Sequence, residues 1–189
     1  MKQLCRHSSK SNHLAAFRQI RNMSMQQNTP LRRMQREKLS ELLLSKDASK
    51  VAVIDVRGDD HIGGHIQTSL HVPSTTLDHK IPELVRTLAE KEIVVFHCAL
   101  SQARGPKAAR RYMEERERKM KTGDVGRSTG PSETGVKDEG ITKVSAVSSE
   151  TKEQGVFVLD KGFVGWQEKY GKDERLTDAY APDIWTDYY

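Results

Sequence analysis

The chain has 189 residues, 35% of them hydrophobic and 30% charged, and a formal net charge of +5. That length fits one domain with extensions, and the modest apolar share leaves part of the chain outside any packed core. No run approaches the roughly 18–20 apolar residues of a membrane-spanning helix, and two cysteines, Cys5 and Cys98, cannot make a disulfide framework.

Residues 1–30 form a basic extension rich in Ser, Asn, Gln, Arg and Lys. Glu37 is the only acid among the first 38 residues, so the positive charge reads as a solvated tail and no nucleic-acid partner is expected. Leu14, Phe17 and Ile20 at helical spacing beside Arg18 and Arg21 also fit an import presequence. A plain disordered tail, or an upstream extension of a protein that starts at Met23 or Met25, is the alternative reading.

A single domain is expected over residues 31–175. The spacing predicts a helix over Leu31–Leu44, then a strand at Val51–Val56, whose almost continuous apolar run suits burial on both faces of a parallel sheet. Gly58, Gly63 and Gly64 mark a loop. A short strand at Leu70–Val72 is stopped by Pro73, and Pro82 is placed in the first turn of a helix running through Leu84, Val85 and Leu88. Glu92–Phe96 is a second strong strand, with a helix from about Gly105. Periodicity then fails over about residues 119–154, read as a disordered insertion. Gly155–Leu159 is a third strand, the Phe163/Trp166 pair is expected to pack on the sheet, and residues 176–189 read as a tail whose aromatic end can dock. Strands alternating with helices give an α/β fold around a parallel sheet.

The segment that carries chemistry is Phe96-His-Cys-Ala-Leu-Ser-Gln-Ala-Arg-Gly-Pro106. A buried strand leads into a short loop and then a helix N-terminus. Ligands of open α/β sheets bind beyond the carboxyl ends of strands, and backbone N–H groups at a helix start suit an anion. The same field favours a thiolate at Cys98, and Arg104 can fold back to hold two oxygens of a tetrahedral oxyanion. Ala99, Leu100, Ser101, Gln102 and Ala103 would supply the amide ring. His97 is expected to point away from Cys98 in a structural role. Asp55 and Arg57, at a strand end, are expected to tie loops together, and Asp59 and Asp60 read as surface acids. His61 and His65 would need a helix to converge, which Gly63-Gly64 argues against. No metal site is expected.

His97-Cys98, Ser101 and Arg104-Gly-Pro106 resemble the active-site loop of the M-phase inducer (cell-division-cycle) phosphatases, and of the related fungal and plant arsenate reductases and small rhodanese-domain phosphatases. Ile54-Asp-Val-Arg57, Gly63-Gly-His-Ile66 and Gly162-Phe-Val-Gly-Trp166 resemble stretches of rhodanese domains. The resemblance implies a rhodanese-like fold: a central parallel five-stranded sheet with helices on both faces. It also implies that sulfurtransferases keep four residues between Cys and Arg and the phosphatase and arsenate branch five. Ala99 to Ala103 makes five, a ring wide enough for phosphate or arsenate. Two features depart from the M-phase inducers: no glutamate lies in the loop, so no general acid is identifiable, and Val56 follows Asp55 where their second cysteine would stand.

The expected activity is that of a protein tyrosine or dual-specificity phosphatase working through a phosphocysteine. Arsenate reduction with glutathione as co-substrate is the alternative, and a phosphoprotein-binding domain without catalysis the third reading. No cofactor is expected. The partner would be a phosphoprotein or a small oxyanion, with no membrane partner, on a monomer. Location in cytoplasm and nucleus is implied by the resemblance, and the mitochondrion if residues 1–24 direct import.

Overall fold

Strands β2 (Val51–Asp55), β5 (Ile93–His97) and β6 (Gly155–Leu159) are built from β-branched and aromatic residues with scarcely a polar interruption, and they form the middle of one sheet. A computed structural model describes residues 30–122 and 154–186. Within them the sheet has five strands in the order β1-β6-β5-β2-β4, every pair parallel, where β1 is Arg32–Met34 and β4 is Leu70–His71. A separate antiparallel pair joins β3 (His65–Ile66) to β7 (Thr177–Asp178).

Alternate side chains of a strand point to opposite faces, so each strand serves two cores. Ala52, Ile54, Val94, Phe96, Val156 and Val158 pack against α2 (Leu77–Thr87) and α3 (Arg104–Thr122), through Ile81, Leu84, Val85, Ala108, Ala109 and Tyr112. Val51, Val53, Val95 and Leu159 face the other way, toward Leu39 of α1 (Arg36–Leu44) and Phe163 and Trp166 of α4 (Gly162–Tyr170). Helices thus cover both faces, as a parallel sheet requires. Phe163 and Trp166 are fully buried on the sheet as expected, and a buried side chain of that size stabilises by roughly 1.5–3 kcal/mol.

Four elements of the fold depart from the sequence reading. The expected helix at Leu31–Leu44 is a strand followed by a shorter helix. Arg32–Met34 adds to the sheet edge beside β6 because its backbone finds partners there, and the chain turns helical only at Arg36. Pro82 lies inside α2, not in its first turn. It removes one helical N–H, yet the helix persists because Leu77, Ile81, Leu84 and Val85 are all buried along one face. The edges of the presumed insertion belong to the domain. Helix α3 continues to Thr122, with Lys119 Nζ donating to the Pro82 carbonyl at 2.9 Å. Buried Gln154 donates to the Leu88 and Lys91 carbonyls and accepts from Tyr112. The readings of residues 123–153 and of the N-terminal extension fall outside the described residues.

The fourth departure is at the C-terminus. Residues 176–186 are part of the body, with Leu176, Thr177 and Trp185 buried. Thr177 Oγ1 accepts from Trp166 Nε1 at 3.0 Å, and Trp185 Nε1 donates to the Gly63 carbonyl at 2.7 Å. The domain therefore runs past residue 175. Among the described residues no helix is long and apolar enough to cross a membrane.

Candidate active site

The carboxyl ends of the two central strands lie side by side, pairing Asp55 with His97. The chain leaves β5 through Cys98 and enters α3 at Arg104, so the loop of Ala99, Leu100, Ser101, Gln102 and Ala103 stands directly on that edge. Its shape is set by α4. The N–H groups of Phe163 and Val164 donate to the carbonyls of Cys98 and Ala99 at 2.9 and 3.0 Å. A trans peptide points its N–H opposite to its C=O, so the N–H groups of Ala99 and Leu100 face away from α4. Ser101 takes positive φ (53°), and its N–H donates to Cys98 Sγ at 3.2 Å. Within the described residues no acceptor is found for the N–H groups of Ala99, Leu100, Gln102 and Ala103. The Ser101 hydroxyl is likewise buried without a partner there. Cys98 itself is buried and free. These donors lie beside the start of a 19-residue helix, an arrangement whose chemistry suits an anion.

Gly162 makes that arrangement possible. Its φ is +58°, and a Cβ there would lie 2.4 Å from the carbonyl oxygens of both Cys98 and Ala99. The signal for this was present in the Gly162-Phe-Val-Gly-Trp166 stretch, but its contact partner lies some sixty residues away in sequence and could not be read.

Arg104 closes the loop. Its basicity is raised above the ordinary guanidinium value by its hydrogen bonds to Asp60, against burial, with further contributions from the Asp60 charge and from Cys98. Cys98 and Arg104 thus lie within electrostatic reach of one another. Asp60 was expected to be a solvated surface acid. Instead its carboxylate takes Nη1 and Nη2 of Arg104 at 2.7 and 2.5 Å, which holds it well below the usual carboxylate range. Asp59 is exposed.

Beneath the loop, Asp55, Arg57 and His97 are fully buried. Arg57 Nε donates to Asp55 Oδ2 at 2.8 Å, its Nη2 donates to the Gly64 carbonyl at 2.8 Å, and its guanidinium lies 4.2 Å from the Phe163 ring centroid. The pair ties the 58–64 loop to the strand. Burial works to raise the Asp55 carboxyl, but His97 and Arg57 together hold it below its ordinary value. Burial pushes the His97 imidazole below its ordinary value, against the attraction of Asp55. His97 Nδ1 lies 3.4 Å from the Cys98 carbonyl oxygen and not on the sulfur, in keeping with a supporting position.

His61 and His65, read as needing a helix to converge, approach each other without one, but as stacked rings. The turn at Gly63 and Gly64, both at positive φ, folds the chain back without a helix. His61 then stacks on His65 at 5.6 Å and on His71 at 3.7 Å between ring centroids. Stacked rings present faces rather than converging lone pairs. Among the described residues no group of three His, Cys, Asp or Glu side chains is placed to hold a metal ion.

A rhodanese-like domain profile matches residues 37–169. The chain is similar to a CDC25-like phosphatase of Saccharomyces cerevisiae, at 33% identity over 143 residues covering 70% of this chain and 76% of the relative. It is 34% identical over 143 residues to arsenate reductase 2.1 of Oryza sativa subsp. japonica, covering 73% and 69% respectively. Among solved structures it resembles a yeast protein tyrosine phosphatase of the rhodanese family, with a TM-score of 0.58 and 27% identity over 83% of this chain and 98% of that one.

Two outcomes are expected. Gly162→Ala forces a side chain against two backbone oxygens at positive φ, so it should destabilise by about 2 kcal/mol or more in urea unfolding and disturb the loop. A change below about 0.5 kcal/mol contradicts the close approach. For pH, His97 and His61 both titrate below their ordinary value of 6.5 in the folded chain, His61 also chiefly through burial. The unfolded chain therefore binds these protons first. Stability should be full above about pH 6.5 and fall as pH drops below it, and His97→Gln should flatten part of that slope. Urea midpoints measured across pH 5–8 check this.

Proposed function

The chain belongs to the family of rhodanese-like domains, and on that premise we propose that it is a cysteine-dependent phosphatase acting on phosphotyrosyl or mixed phosphoprotein substrates. The observation that carries this reading is the five-residue loop between Cys98 and Arg104, whose N–H groups at Ala99, Leu100, Gln102 and Ala103 have no acceptor among the described residues, while the Ser101 N–H turns onto the sulfur. Cys98 as thiolate attacks phosphorus while the ester P–O bond breaks, and the leaving oxygen takes its proton from an acid or from water. Arg104 and the amides of residues 99–103 stabilise the charge on the three equatorial oxygens, where they gain most strength in the transition state. Water then attacks the phosphocysteine, the S–P bond breaks, and inorganic phosphate leaves with the thiolate restored. His97, Asp55 and Arg57 act as supports that hold the loop and the strand ends.

Neither Ala99 nor Ala103 offers a carboxyl to protonate a leaving group. Aryl esters, whose oxygen leaves readily, are therefore favoured over alkyl esters.

A second reading is arsenate reduction, supported by the similarity to arsenate reductase 2.1. The same thiolate would displace a hydroxyl from arsenate. External thiols such as glutathione would then supply two electrons and leave as a disulfide, because Cys98 is the only free cysteine among the described residues. No cofactor enters either route. We propose a monomer in cytoplasm and nucleus, with a mitochondrial location if residues 1–24 direct import.

Purified protein should hydrolyse an aryl phosphate, Cys98→Ser should abolish the activity, and Arg104→Lys should lower kcat/KM by about 100-fold, the scale of losing an oxyanion donor. Unchanged hydrolysis by Cys98→Ser removes the nucleophile assignment. In parallel, glutathione-dependent arsenate consumption faster than aryl phosphate hydrolysis favours the second reading. Thiosulfate-to-cyanide transfer faster than both contradicts the loop-length argument.

A further inference from the structure

Asp60 occupies the fork of Arg104 that faces a tetrahedral oxyanion in end-on binding. Its Oδ1 and Oδ2 accept from Nη1 and Nη2, the planar two-point match that two oxygens of phosphate or arsenate would also make. The carboxylate is delivered by a built loop. Oδ1 also accepts the Gly58 N–H at 2.9 Å, and the loop is pinned through Arg57, whose Nη2 holds the Gly64 carbonyl and whose Nε holds Asp55. Both partners stay partly open to solvent, with side-chain exposures of 38% for Arg104 and 41% for Asp60, so an incoming anion can reach them.

We propose that Asp60 is an internal competitor for the oxyanion: a resting carboxylate that substrate must displace from Arg104, and so a residue that sets how much oxyanion is needed to fill the site. The inference rests on the reading of the 98–104 loop as an oxyanion site. It goes beyond that reading by assigning Asp60 an action opposite in sign to that of a brace. A brace orients Arg104, and its loss weakens anion binding. A competitor tethered on a short loop holds a high effective concentration, and its loss strengthens binding. The advantage is modest because an exposed ion pair is worth little, and it shrinks as salt screens the pair.

The test is isothermal titration calorimetry of the full chain with sodium tungstate, an unreactive tetrahedral dianion, for the native protein, Asp60→Asn and Arg104→Gln. Asparagine keeps an oxygen for the Gly58 N–H, so the turn is preserved, and Asp60→Ser serves as a second variant that must shift in the same direction. Asp60→Asn is expected to bind tungstate about fivefold tighter at low salt, the order of an exposed bidentate pair. The gain should narrow at high salt, and KM for an aryl phosphate should fall without a rise in kcat. Equal or weaker binding by both Asp60 variants, with the native protein binding normally, overturns the competitor role and leaves the oxyanion site standing. Absence of binding in every protein, or binding indifferent to Arg104→Gln, overturns the oxyanion site and the competitor together.

Discussion

Two hydrogen bonds organise the candidate site: the Cys98 and Ala99 carbonyls drawn onto the N–H groups of Phe163 and Val164. A loop that turned those carbonyls inward would line itself with negative dipoles and repel an anion. Turning them toward α4 exposes the opposite edge of each peptide, and the loop becomes a ring of donors. The contact requires two backbones at a separation no side chain permits, which is why residue 162 is glycine. Strand β6 delivers α4 to this point because it lies next to β5 in the sheet, so the order of the strands and the polarity of the loop are one constraint.

A second constraint lies one layer below. Asp55 and His97 are register partners at the ends of β2 and β5, and Arg57 folds back to fork Asp55 while reaching the Gly64 carbonyl. Arg57 and Asp55 thereby tie the loop that carries Asp60 to β2, the neighbour of the strand that leads into Cys98. Buried ions of this kind add little net stability, but removal of one partner leaves the other unpaired at a cost of several kcal/mol. The group is therefore strong in fixing geometry. It also makes the fold sensitive to acid, because neutral His97 and ionised Asp55 both resist protonation in place.

Much of the rhodanese-like architecture was legible in the chain. Strands β2, β5 and β6 are buried on both faces and read as unbroken apolar runs, and the Cys98–Arg104 loop is contiguous, so its chemistry could be recognised from spacing. What escaped depends on distance in sequence. Arg32–Met34 is a three-residue edge strand in a basic stretch, and its partner β6 lies more than a hundred residues away, so its few apolar positions matched a helix as well as a strand. Asp60 is 44 residues from Arg104 and carries no local mark that separates it from Asp59. The histidine stack follows from the positive φ of Gly63 and Gly64, a conformation composition does not announce. Pro82 was misplaced because the apolar face of α2 outweighs one lost hydrogen bond.

The central claim is that Cys98 forms the bond to the transferred group. Its most direct measurement is rapid acid quench of the protein turning over an aryl phosphate, followed by peptide mass mapping. A phosphoryl-sized mass gain on the peptide containing Cys98, absent from Cys98→Ser, is the predicted result. Full turnover with no adduct on that peptide, or an adduct carried by Cys5 alone, would contradict the account.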